Sequence, residues 1–248
     1  MYYVNERAMA FKNLKLAFFD IDGTLIRRDF SGTLSLKSRC FNYAIETAFG
    51  LKNVDYTKIL GKRLFAMTDK TIFRNTLKAL GVDESRYYSK EAELFAMAND
   101  YFDANLESSE IAGYYPLPGV MDFIHQLKNE NIRLGLVTGN IKKHSMWKME
   151  IGGFDGYFST GGYGDDAEHR SDILTMAIRR NSDIPLINIC HFGDSPPDLE
   201  AARDCGIRGV AIAEKGGGSH TREELSAVGY GLIIDSWSEW DLIAKYLK

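Results

Sequence analysis

Leu14-Lys15-Leu16-Ala17-Phe18-Phe19-Asp20-Ile21-Asp22-Gly23-Thr24-Leu25 decides how the rest of the chain is read. Residues 14–19 form a short, almost wholly apolar run, the mark of a strand buried on both faces of a parallel sheet. The run stops at two aspartates, two positions apart, and a glycine. In an open α/β sheet, residues just past the carboxyl end of a strand line the ligand crevice. On extended backbone, positions 20 and 22 face the same way, and two carboxylates there repel unless a cation or a proton offsets them. Gly23 allows a tight turn and lets backbone N–H approach an anion. A plain turn would draw on the same residue types. Its place after an apolar strand, with Thr24 and Leu25 following, favours a site.

Further along, residues 132–137, 187–192 and 209–213 are three more apolar runs of strand length, alternating with helical patterns. One such helix spans residues 119–130, with Val120, Phe123, Ile124 and Leu127 on one face; residues 172–180 and 198–205 carry others. The alternation predicts an α/β fold with a Rossmann-like parallel sheet and helices on both faces. Residues 27–115 differ. They hold three amphipathic helical patterns (Phe41, Ile45, Ala48, Phe49; Ile72, Phe73, Leu77, Leu80; Phe95, Ala98, Phe102, Leu106) and no convincing strand. The expected division is a core of residues 1–26 and 116–248 and an inserted helical domain of residues 27–115.

Two more strand ends carry chemistry. Leu134-Gly135-Leu136-Val137-Thr138-Gly139-Asn140 sets a hydroxyl and the amides of Gly139 and Asn140 where a phosphate oxygen needs neutral donors. Alone, it reads as well as a strand-to-helix turn capped by Thr138 or Asn140. Ile189-Cys190-His191-Phe192-Gly193-Asp194-Ser195-Pro196-Pro197-Asp198 ends a third strand in an acid. Magnesium takes oxygen ligands and few carboxylates, which suits Asp20 and Asp194 on neighbouring strand ends. A helix cap is the plainer role for Asp194 or Ser195.

Taken together and in this order, the three segments resemble the haloacid dehalogenase superfamily, whose motifs run Asp-x-Asp-Gly-Thr, then Ser or Thr after a strand, then a basic residue, then Gly-Asp-x-x-x-Asp. The helical insert after the first motif and the return through Tyr115-Pro116-Leu117-Pro118-Gly119 resemble the branch of phosphoglycolate phosphatase-like proteins with a helical cap. The resemblance implies a Mg2+-dependent phosphomonoesterase acting through an aspartyl-phosphate. It implies Asp20 as nucleophile and metal ligand, and Asp22 as general acid and base whose carbonyl also binds metal. Thr138, with Gly23, Gly139 and Asn140, would hold the phosphoryl group; Asp194 would bind metal and Asp198 would support that shell. The family's usual lysine at the third motif is absent. Arg170, within Gly164 to Asp172, is the expected replacement; it keeps the charge with a different donor geometry. Lys142 and Lys143 are weaker alternatives.

The bulk numbers narrow the partners. A net charge of -4 over 248 residues gives no electrostatic reason to expect nucleic acid or an anionic membrane. No apolar run is long enough to span a bilayer, and residues 1–7 do not read as a signal peptide. Cys40, Cys190 and Cys205 lack metal-ligand spacing and read as free thiols of a cytoplasmic protein. The expected substrate is a small phosphorylated metabolite. A sugar phosphomutase using the same aspartyl-phosphate is the nearest alternative; a non-catalytic phosphate-binding regulator fits less well because both aspartates are intact, and a flavodoxin-like module because its phosphate loop would be rich in Ser and Thr.

Several conspicuous residues read as structural. Residues 216–218 lack the lysine of a Walker loop, Thr221 and Glu224 form a capping box, and His191 reads as a hydrogen-bonded core residue. Trp147, Trp237 and Trp240 read as packing. Lys62 and Arg63 read as a solvated pair or as contacts for a substrate carboxylate, and Thr68 and Asp69 as helix caps.

Overall fold

A computed structural model describes residues 11–28, 35–61, 67–106 and 113–248. The N-terminal segment, Lys62 and Arg63 lie outside these.

Six parallel strands form the central sheet in the order β5-β4-β1-β6-β7-β8. They are β1 (Leu16–Phe19), β4 (Arg133–Val137), β5 (Thr160–Gly162), β6 (Ile189–Gly193), β7 (Arg208–Ile212) and β8 (Leu232–Ile234). The four apolar runs all become strands, shifted by one or two residues. β5 and β8 are additions; each has three residues, and β5 is Thr-Gly-Gly, too short and too poor in apolar residues to stand out. The α/β class and parallel sheet are as expected.

Strand periodicity divides the core in two. Ala17 and Phe19 point to one face, where they meet α5 (Val120–Asn129), Met149 of α6 (Lys142–Ile151) and Trp237. Leu16 and Phe18 point to the other, against α7 (Arg170–Arg179) and α8 (Pro196–Asp204). Phe19 stacks on Phe192 at 4.8 Å between ring centroids, and Phe123 meets Phe192 edge-on at 5.5 Å. Aromatic pairs of this kind add about 0.5–1.5 kcal/mol each beyond area burial. They fix the register of β1 against β6 next to the crevice.

The chain leaves the sheet after β1 through β2 (Ile26–Arg28) and returns through β3 (Tyr114–Pro116), which pair antiparallel. These two strands lie at the edges of the region read as strandless. Between them come α1 (Leu36–Phe49), α2 (Tyr56–Leu60), α3 (Asp69–Ala79) and α4 (Glu84–Asn105). The three helical patterns fall on α1, α3 and α4. Ser35 caps α1 by accepting from the Ser38 amide, and Gly50 ends it in the left-handed region at φ 68°. Phe41 stacks on Phe73 at 4.3 Å, and these helices share an apolar cluster of their own.

Candidate active site

The strand order reverses around β1. The chain moves outward through β4 and β5, then crosses to β6 on the other side. Such a switch point opens a crevice at the carboxyl ends of the strands. Phe19 is in register with Leu136 and with Phe192, so β1, β4 and β6 end at one level. Asp20, Thr138 and Asp194 each follow one of these strands, and all three are buried.

Asp20, Asp194 and Asp198 each offer an oxygen within 4.8 Å of the others. Arg170, the first residue of α7, sends Nη1 to Asp20 Oδ1 at 2.8 Å and to the Val137 carbonyl at 3.2 Å, with Nε 3.4 Å from Asp198 Oδ1. The structure therefore brings Arg170 to Asp20. Lys143 instead pairs with Asp103, and Lys142 lies 5.6 Å from the Tyr163 ring centroid.

Asp198 is almost fully engaged. Its Oδ1 meets His191 Nε2 at 3.2 Å as well as Arg170, and Oδ2 accepts from the amides of Asp194 and Ser195 and from Ser195 Oγ at 2.5 Å. Burial acts to raise its carboxyl, but Arg170 and His191 outweigh that and hold it below the ordinary range. Asp194 has the opposite balance. Burial, then the charges of Asp20 and Asp198, push it up to about 8. Burial likewise raises Asp20 against the pull of Arg170.

Fully ionised, three carboxylates against one guanidinium would leave two negative charges in a buried crevice. The oxygen-only donor set and that charge fit a hard divalent cation such as magnesium. The raised carboxyls of Asp20 and Asp194 are what a ligand pair does without one.

Gly23 is required by space and by backbone. Its φ is +80°, and a Cβ there would stand 2.1 Å from Asp194 Oδ2. The glycine loop at 216–218, read above as structural only, leads into Ser219, whose amide donates to Asp194 Oδ2 at 2.7 Å. Nothing in the loop's composition announces this. His191 is a buried, hydrogen-bonded residue, and Thr221 with Glu224 forms the capping box.

Neither Thr138 nor Asn140 caps α6. The Asn140 backbone and side-chain nitrogens both donate to Thr138 Oγ1, at 3.3 and 2.9 Å, so the backbone amide is not presented as a free phosphate donor. The amide of Ile141, at the start of α6, donates to Asp69 Oδ2 at 2.8 Å. Thr68 does cap α3 through its side chain, but Asp69 does not act as a cap for its own helix. Its carboxylate crosses to the β4–α6 turn and also pairs with Lys37 at 2.6 Å, while its amide donates to the Gly139 carbonyl at 2.8 Å. Gly139 lets the two segments approach this closely; a Cβ would lie 2.9 Å from Thr68 Cα.

Asp22 has a partner the sequence did not suggest. Lys148 of α6 reaches Asp22 Oδ1 at 2.7 Å and Oδ2 at 2.6 Å, and Asn140 Nδ2 donates to Oδ2 at 2.8 Å. Lys148 is only 5% exposed. Partial withdrawal from water acts to raise the Asp22 carboxyl, but Lys148, Lys37 and these hydrogen bonds hold it below its ordinary value. The signal for Lys148 was its spacing. It lies four residues after His144, on a helix face that is buried.

A family profile described as haloacid dehalogenase-like hydrolase matches residues 17–212. Over 95 residues the chain is 27% identical to a phosphoglycolate phosphatase from Synechococcus elongatus; the match covers 38% of this chain and 44% of that protein, less than half its length. A β-phosphoglucomutase from Clostridium difficile has the same fold, with a TM-score of 0.66 at 15% identity over 94% of this chain and 97% of that one. So has a predicted phosphoglycolate phosphatase from Haemophilus somnus, with a TM-score of 0.61 at 18% identity, covering 95% and 99%. The profile spans the acidic end of β1, the Thr138 turn, Arg170 and the acidic end of β6, and the chain belongs to the haloacid dehalogenase-like hydrolases.

Proposed function

We propose that the chain is a magnesium-dependent phosphomonoesterase that hydrolyses a small phosphorylated metabolite, of the phosphoglycolate kind, through an aspartyl-phosphate on Asp20. The observation that carries this reading is Asp20 itself: a buried carboxylate at the switch point, held by Arg170 at 2.8 Å beside a second acidic strand end. In this reading the core is residues 1–26 and 116–248, and the helical segment 27–115 is a cap that excludes water.

Asp20, Asp194 and the Asp22 carbonyl would hold the magnesium, which when bound offsets charge on the phosphoryl oxygens. Arg170 orients Asp20 for in-line attack and faces the charge that develops. Thr138, Gly139 and the Gly23 turn bind the phosphoryl group, and Asn140, expected to share in this, instead holds Thr138 Oγ1. Asp22 protonates the leaving oxygen in the fraction where its carboxyl, held low by Lys148 and Lys37, carries a proton, and once ionised it takes a proton from the water that opens the acyl-phosphate. Asp198 keeps Arg170 and the β6–α8 turn in place.

The test is phosphate release from phosphoglycolate, sugar phosphates, nucleoside monophosphates and p-nitrophenyl phosphate, each with magnesium, with chelator and with Asp20→Asn. Metal-dependent release that disappears in Asp20→Asn is expected. Full release by Asp20→Asn would sink the reading, and transfer within a sugar phosphate without release would replace it with a mutase.

A further inference from the structure

Lys148 is a buried cation whose three N–H groups meet three acceptors of the protein: both oxygens of Asp22 at 2.7 and 2.6 Å, and Asn140 Oδ1 at 3.3 Å. That leaves none for a phosphate oxygen, and Arg170 already attends Asp20. Lys148 is therefore placed to act on Asp22 rather than on substrate.

Asn140 is equally committed. Its Oδ1 accepts from Lys148 and from Lys37 Nζ at 2.8 Å, while its Nδ2 donates to Asp22 Oδ2 and to Thr138 Oγ1. Only one amide orientation is compatible with two ammonium groups on one side and a carboxylate on the other. Lys37 belongs to the first turn of α1 and is anchored by Asp69, which also bonds the Ile141 amide. An unbroken path thus runs from the helical segment through Lys37 and Asn140 to Asp22. Without it Asp22, whose side chain is 49% exposed, has water as its main competitor for orientation.

We propose that Lys148 directly, and Lys37 through Asn140, are positioning residues that aim the Asp22 carboxyl at the leaving oxygen, so that seating the helical segment on the β4–α6 turn completes the acid–base group. The inference rests on the phosphatase reading above. It predicts a dependence on the leaving group, because an alkoxide needs a proton as it departs and p-nitrophenolate does not.

The experiment compares kcat/KM for p-nitrophenyl phosphate and for an alkyl phosphate hydrolysed by the wild-type protein. Variants are Lys148→Met, Lys148→Arg, Lys37→Met and Asp22→Asn. The ratio of the two values is independent of how much of a preparation is folded. Lys148→Met is expected to lower the alkyl-to-aryl ratio by about 10–100-fold, within the range of a positioned general acid, in the direction of Asp22→Asn. Lys37→Met is expected to lower it less, and Lys148→Arg to restore part of it. The double Lys37→Met/Lys148→Met variant should lose less than the product of the single effects, since both act through one carboxyl. Equal losses for both substrates in Lys148→Met would make the lysine structural and overturn the proposal. Should that variant not fold, Lys148→Gln, of similar length and without the charge, takes its place with the same reading, and an unchanged ratio in Lys37→Met overturns the insert's share. Release that survives in Asp20→Asn defeats the phosphatase reading instead, so the two failures are distinct.

Discussion

Arg170→Met tests the charge balance of the crevice. Methionine has comparable length and no charge, so it strands Asp20 and Asp198, which are 5% and 1% exposed. Leaving one member of a buried ion pair without its partner costs about 3–5 kcal/mol. A second route gives a similar size. At pH 7 the site sheds a charge by keeping one more carboxyl protonated; lifting a group by about three pH units at ~1.4 kcal/mol each costs ~4 kcal/mol. For a protein of this size each kcal/mol moves the thermal midpoint by roughly 2–4 °C, so the chelated variant should melt about 6–20 °C lower than chelated wild type. Calorimetric or circular-dichroism melting at pH 7 measures this. Magnesium should recover part of the loss because it adds positive charge among the same oxygens. Lowering the pH toward 5 should narrow the gap as protons neutralise the carboxylates. A midpoint within about 2 °C of wild type in chelator would refute the view that Arg170 balances this cluster.

Gly23→Ala should weaken magnesium binding about tenfold or more, read by calorimetric titration, because ~1–2 kcal/mol of left-handed backbone strain is joined by displacement of Asp194. Unchanged affinity would show that the Asp194 position is not tied to this turn. The metal-free protein should lose stability as pH rises from about 5 to about 8, because the Asp194 carboxyl is raised above its unfolded value near ~3.9 and the fold favours its neutral form. That contribution is complete below the unfolded pKa and is gone once pH passes about 8, whereas Asp22 and Asp198, held low, act only at acid pH. Melting in chelator that is flat or rises between pH 6 and 8.5 would contradict this, and magnesium at pH 8 should restore the midpoint.

The sheet was legible because β1, β4, β6 and β7 are buried on both faces and leave continuous apolar runs. The acidic strand ends were legible for the same reason, since a charge directly after such a run has few structural explanations. Arg170 was found by its place in the motif order. Lys148 and Lys37 were not, because a lysine on a helix normally reads as solvated; the buried face of α6 carries Lys148 back to Asn140, and the packing of α1 against the β4–α6 turn brings Lys37 there. Asp69 was misread for a related reason. As the first residue of α3, beside the Thr68 cap, it fits a local role, yet its partners are 32 and 72 residues away. The contribution of Ser219 is a backbone amide, which carries no signature in residue type.

The pairing of β2 with β3 has a consequence for how such a chain can change over time. Ile26 faces Pro116 and Arg28 faces Tyr114, and the Leu117 amide donates to the Leu25 carbonyl at 2.9 Å. The two ends of the helical segment are therefore zipped side by side before either reaches the sheet. Its length is invisible to the strands, since the ladder sees only two neighbouring stems. Helices of other sizes and shapes can stand above that zipper without moving the acidic strand ends.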